Sequence, residues 1–247
     1  MITISYLIIM VMCLVALYFS AKLWLERREW MSGLILSALS LLWLDNFAVA
    51  TGAYVGEGLI LTIMSYARYY MHWQVLPVLM IVAGMLLRRG GFAFAQNKIV
   101  MSLFCIAAVV FMVMDVPYIF QVEFYPACYG ETFRLVTNVP ASQICDPANP
   151  PPAGLSVAPI PAISVNVTLM LVGFALWIRH GFKWLALSCL FMFVAAGVSQ
   201  VPSFYYGPVL GNLGEPIFNA GLIAAAYRFG GKEDVTKDEV SIESTST

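Results

Sequence analysis

Long apolar runs separated by short polar or basic clusters dominate this chain. A helix needs roughly 17–25 apolar residues to cross the ~30 Å hydrocarbon core of a bilayer. Seven such runs occur: Ile2–Leu25, Gly33–Tyr54, Arg68–Leu87, Lys98–Phe120, Ala162–Ile178, Lys183–Val201 and Val209–Tyr227. They predict an all-α polytopic membrane domain over residues 1–229, with no internal repeat. The polar stretch 230–247, rich in Glu, Asp, Ser and Thr, reads as a disordered cytoplasmic tail. The first run lacks a basic n-region and a small-residue cleavage site, so it reads as a retained helix.

Composition agrees with this reading. The chain is 61% hydrophobic and 11% charged, with a mean hydropathy of +0.83, outside the range of soluble domains. With 13 basic against 14 acidic residues it offers no basic stripe, which sets nucleic-acid binding aside. Basic residues gather at Lys22, Arg27 and Arg28, at Arg88, Arg89 and Lys98, at Arg179 and Lys183, and at Arg228 and Lys232. All four clusters fall on one side of the predicted bundle. The positive-inside rule then places the N-terminus outside and the C-terminus in the cytoplasm. Plasma membrane and endomembrane fit equally.

The longest connection, 121–161, falls on the outer side. Its Cys128 and Cys145 are the only cysteines outside the spans, and an oxidising exterior predicts a disulfide between them, closing a loop of roughly 18 residues. The Pro-rich stretch Asp146–Pro161 reads as extended and irregular. Gly52, Gly56 and Gly58 read as the end of the second helix and a tight outer turn. Leu59–Tyr66 is apolar but too short to span, and is expected to lie along the surface or re-enter the bundle. Pro77 and Pro216 predict kinks.

Asp45, Arg68, His72 and Glu215 all lie within apolar runs. A charge in hydrocarbon costs roughly 2.5–3.5 kcal/mol on insertion scales, so such residues face a protein interior and usually serve a function. At 1.5 Å per residue from the basic markers, Asp45 lies ~18 Å and Glu215 ~20 Å deep, nearly level. His72 comes at ~24 Å and Arg68 at ~30 Å, near the outer boundary. Spacing of four puts Arg68 and His72 on one face of the third helix, and Glu215 and Asn219 on one face of the seventh. A polar site in the outer half of the bundle follows, with Asn46, Tyr69, Gln74, Gln200, Tyr205 and Tyr206 as further hydrogen-bonding or lid residues. The residues ask for no cofactor. No metal site is expected either, because His72 and His180 belong to different depths and no Cys/His spacing suits zinc.

Two motifs resemble the microbial (type I) rhodopsins. Ala67-Arg68-Tyr69 with Pro77 nine positions after the Arg is similar to that family's third-helix pattern. Glu215 followed by Asn219, Ala220 and Gly221 is similar to the family's carboxylate and, four residues later, its retinal-bearing lysine. The departures bear on chemistry. Asn219 stands where the family needs the lysine, Met71 replaces the proton-accepting carboxylate, and His72 replaces the adjacent Trp. The resemblance implies a seven-helix bundle around an interior pocket, without covalent retinal.

Three functions fit these residues. The first is a ligand-binding or sensory bundle, surrounded by membrane lipid, whose outer pocket holds a small hydrophobic or amphipathic molecule while the tail reports to the cytoplasm. The second is an intramembrane enzyme, of acid–base isomerase or cyclase type, acting on a lipid or isoprenoid, with Asp45 and Glu215 exchanging protons and His72 assisting. The third is a proton or ion carrier using the same carboxylates with His72 as relay. A carrier needs polar groups through both membrane halves, and the inner halves here are almost bare of charge.

Overall fold

The structure is a computed structural model and describes residues 1–201 and 203–231. The expected tail lies almost wholly outside the described residues. Among the described residues eight α-helices form the fold: α1 (Ile2–Arg27), α2 (Trp30–Val55), α3 (Leu59–Gln74), α4 (Leu79–Arg89), α5 (Lys98–Gln121), α6 (Ile160–His180), α7 (Trp184–Ser199) and α8 (Gly207–Phe229). A 3₁₀ turn at Leu76–Val78, containing Pro77, joins α3 to α4 as one rod of 31 residues. The class is therefore all-α with seven helical rods. Five of them, α1, α2, α3–α4, α5 and α6, are long and apolar enough to cross a membrane. The 16-residue α7 is shorter, and α8 carries Asn212, Glu215, Pro216 and Asn219 along its length.

The surface is consistent with a lipid environment. Large apolar side chains stand exposed along whole helices, among them Ile8, Val11 and Val15 on α1 and Leu103, Ile106, Val110 and Val113 on α5. Of the residues of α5, only Ala108 and Asp115 are buried. A helix apolar on every face and covered on only one of them needs a non-aqueous neighbour.

One expectation changes at α3. The helix begins at Leu59, so Leu59–Tyr66 is its first half and not a separate surface segment. No Gly or Pro interrupts the stretch, and Leu61 and Ser65 turn one face inward. Arg68 consequently lies nine residues, about 13 Å, inside the helix and not at its outer boundary.

The outer connection contains a second departure, an antiparallel hairpin of β1 (Tyr125–Tyr129) and β2 (Thr132–Val136). Its two-residue turn uses Gly130 at φ 57°, a conformation suited to glycine. The disulfide between Cys128 and Cys145 forms and ties the hairpin to the following chain, where Ile144 bridges to Ala127. The hairpin seats on the bundle at two points. Glu131 accepts hydrogen bonds from the Met1 amino group at 3.1 Å and the Ile2 N–H at 3.2 Å. At Gly52 of α2 the Phe133 carbonyl comes so close that a Cβ there would collide with it.

The opposite end is the basic one. Arg27 donates to the Ala226 and Tyr227 carbonyls at 2.9 Å each, Arg89 pairs with Glu29 at 2.6 Å, and His180 Nε2 lies 2.9 Å from the Gly90 carbonyl. Between the two ends, the main apolar core fills the basic-end portion of α1, α2, α4, α6, α7 and α8. A smaller cluster of Ile2, Tyr6, Val49, Ala50 and Tyr129 lies under the hairpin. Separating these two apolar regions is a polar layer.

Candidate functional site

Three helices, α2, α3 and α8, contribute to that layer at the positions where their apolar sequences break. On α2 the break is Asp45-Asn46, between Leu42 of the main core and Val49 of the hairpin-end cluster. On α8 it is Asn212 and Glu215, between Val209 and Phe218. On α3 it is Arg68 and His72, one turn apart. Asp45, Asn46, Glu215 and Asn219 are all buried.

Two hydrogen-bonded assemblies fill the layer. Arg68 Nε pairs with Asp45 Oδ1, and the guanidinium also lies 5.1 Å from the centre of the Tyr69 ring. Asn46 donates from Nδ2 to Glu215 Oε2, and its Oδ1 accepts from Asn212 Nδ2 at 3.1 Å. The two carboxylates thus have unlike partners, a cation for Asp45 and a neutral amide for Glu215. Pairing is the condition on which buried charges are tolerated, since an unpartnered one costs several kcal/mol.

Asp45, His72 and Glu215 each bring one donor atom within 4.8 Å of the other two. The trio combines one histidine with two carboxylates, so the different depths of His72 and His180 do not bear on it. By distance alone the three could share a cation. The Arg68 guanidinium already brings a positive charge to Asp45, which weakens any such site electrostatically.

Cavities flank the carboxylates on two sides. The first, about 200 Å³, is lined by Asp45, Arg68 and His72, by Tyr69, Trp73 and Asp115, and by Thr137 and residues 157–159 of the outer connection. The Thr137 N–H donates to the Tyr69 hydroxyl at 3.4 Å, which holds the end of the hairpin across the cavity. The second, about 310 Å³, reaches Glu215 and Asn212 between α7, α8 and the outer connection, with Arg134 and Gln143 at its mouth. Arg134 donates to Gln143 Oε1 at 2.8 Å.

The remaining sequence candidates are placed less uniformly. Gln200 is exposed and lines the second cavity. Tyr206 is 47% exposed and stacks edge-on against Tyr205 at the start of α8, apart from the charged layer. Gln74 donates to the Met112 carbonyl at 3.1 Å across the α3–α5 seam. Asn219 is fully buried, with neither its Oδ1 nor its Nδ2 hydrogen-bonded among the described residues.

Sequence reasoning missed two residues. Asp115 meets the same criterion as Asp45, a carboxylate inside an apolar run, and lines the first cavity. Arg134 belongs to the part of the outer connection, before Asp146, for which no element was expected. The alternation of Thr132–Val136 after a Gly-Glu turn is the signal that would have shown its strand.

Fold and site together define a class: a helical bundle of membrane-spanning character that carries a layer of charged and amide side chains in its interior. Compared with known proteins, the chain matches no family model and no curated protein. The rhodopsin resemblance therefore rests on its two motifs alone.

Proposed function

We propose that this chain is a seven-span integral membrane protein, N-terminus outside, whose outer-half pocket binds a small hydrophobic or amphipathic molecule. The observation that carries the reading is the meeting of Asp45 and Arg68 with His72 and Glu215, from three separate rods, beneath a cavity walled by Tyr69 and Trp73. Apolar walls with a few convergent polar groups are the general form of a small-molecule site. The architecture is rhodopsin-like without retinal chemistry: Asn219 cannot form a Schiff base, and Lys22, Lys98 and Lys183 stand at helix ends.

Acid–base catalysis on a lipid or isoprenoid is the second reading. The unlike partners of Asp45 and Glu215 favour it, because two carboxylates in different surroundings can divide the acid and base roles.

The test is the pair of single substitutions Asp45→Asn and Glu215→Gln, with mass spectrometry of lipophilic molecules that copurify with the detergent-solubilised protein. A specific species held by the wild type and released by either variant supports the pocket. If both variants fold and every copurifying molecule is unchanged, the polar layer is structural.

A further inference from the structure

A groove of about 340 Å³ runs along the outside of the bundle between α3 and α5, with Ala67 at its base and Ile63, Tyr66, Tyr70 and Ile119 along it. Ile63, Tyr66 and Tyr70 are 58%, 48% and 51% exposed among the described residues. Tyr69 and Trp73 line both this groove and the charged cavity. Their ring centroids are 5.6 Å apart, and together they form the wall shared by the two hollows.

Asp115 supplies the chemical direction. It is 4% exposed, lines the charged cavity, and has neither a hydrogen bond nor an ion pair among the described residues. Asp45, across the cavity, is satisfied by Arg68. Asp45, Asp115, Arg68 and His72 are the titratable groups of the cavity lining, so with His72 neutral two carboxylates face one guanidinium, and an ammonium group beside Asp115 would balance them.

We infer that the pocket takes a single-tailed amphiphile with an amine head, its ammonium group against Asp115 and its alkyl chain reaching the α3–α5 groove between the Tyr69 and Trp73 rings, which part to admit it. The inference rests on the pocket reading proposed above and names its ligand class. A charge-assisted hydrogen bond to a buried carboxylate favours the amine over an alcohol of equal length, and repels a carboxylate head. One groove beside one polar chamber suits one chain, entering sideways from the bilayer.

The probes are dodecylamine, dodecanol and dodecanoate, added to the protein in phosphatidylcholine nanodiscs, with thermal unfolding as the readout. Dodecylamine should stabilise the wild type with at least about tenfold tighter apparent binding than either other probe, the factor worth 1.4 kcal/mol. Asp115→Asn is isosteric and removes no internal partner, so it should fold and bring dodecylamine down to the level of dodecanol. Ala67→Trp, which fills the groove, should abolish the dodecylamine effect. Equal or tighter binding of dodecanol or dodecanoate, or an Asp115→Asn protein that still prefers the amine, overturns the inference. If dodecylamine has no effect while Asp45→Asn still releases a copurifying molecule, the ligand class is wrong and the pocket reading stands. If Asp45→Asn and Glu215→Gln also change nothing, the pocket reading falls with it.

Discussion

Asp45 and Arg68 depend on each other more than on anything else around them. Asp45→Ala leaves the guanidinium buried beside no counter-charge and should cost about 3–5 kcal/mol, whereas the double substitution Asp45→Leu with Arg68→Met should cost much less, because no charge is left stranded. Thermal unfolding of the two proteins in the same detergent checks the ordering; equal losses would mean that the pair is not coupled. Tyr129 presents a milder case at the hairpin. Its hydroxyl donates to the Tyr205 carbonyl, and burial, followed by the neighbouring Tyr6 and Tyr205, pushes its pKa up to about 12. The fold therefore favours the protonated phenol. Its stabilisation is complete below the ordinary tyrosine value of about 10 and is lost as pH rises through 12. Tyrosinate absorbance should show a late-ionising fraction, and Tyr129→Phe should remove one hydroxyl from it.

Between elements, close backbone approach decides which helices can touch. At Gly173 of α6 an added Cβ would lie 2.5 Å from the Ala186 nitrogen and 2.8 Å from its Cα, both backbone atoms of α7 that cannot turn aside. Gly173→Leu should thus separate α6 from α7 and cost about 1–3 kcal/mol as an overpacked contact. Gly52→Val acts at the other end by expelling the Phe133 carbonyl and lifting the hairpin from α2. Hydrogen exchange should show faster opening of β2 in that variant with α5 unchanged. Tyr69 belongs to this scale as well, because its hydroxyl receives the Thr137 N–H and links hairpin position to cavity shape.

For the whole molecule, the long outer connection is held at both ends of the hairpin by covalent and polar contacts. The Cys128–Cys145 bridge spans a sequence separation of 17, a loop whose closure stabilises by about 3 kcal/mol in the chain-entropy account. Replacing both cysteines by serine should lower Tm accordingly. It should also weaken binding in the first cavity, since the part of its lining formed by Thr137 and residues 157–159 belongs to the same connection. A variant with lowered Tm and unchanged binding would show that the cavity is set by the helices alone.

Local sequence is enough to reveal features that depend only on nearby residues. The helical class and the long rods follow from unbroken apolar runs, and the disulfide from two cysteines outside them. Pro77 stands out for lacking an N–H. The charged residues Asp45, Arg68, His72 and Glu215 are visible for the same reason, since each interrupts an apolar stretch that could otherwise cross a membrane. Partnership was not legible. That Arg68 serves Asp45 while Asn46 serves Glu215, that Asp115 faces the same cavity, and that Arg134 arrives from a hairpin, are relations between residues distant along the chain. Helix rotation and packing set them, and periodicity along one helix carries no information about the angle of another. The sequence by itself determined that polar groups must be hidden inside an apolar bundle. Only the tertiary structure decided which of them meet, because desolvation penalises every buried charge alike and geometry alone selects the partner that relieves it.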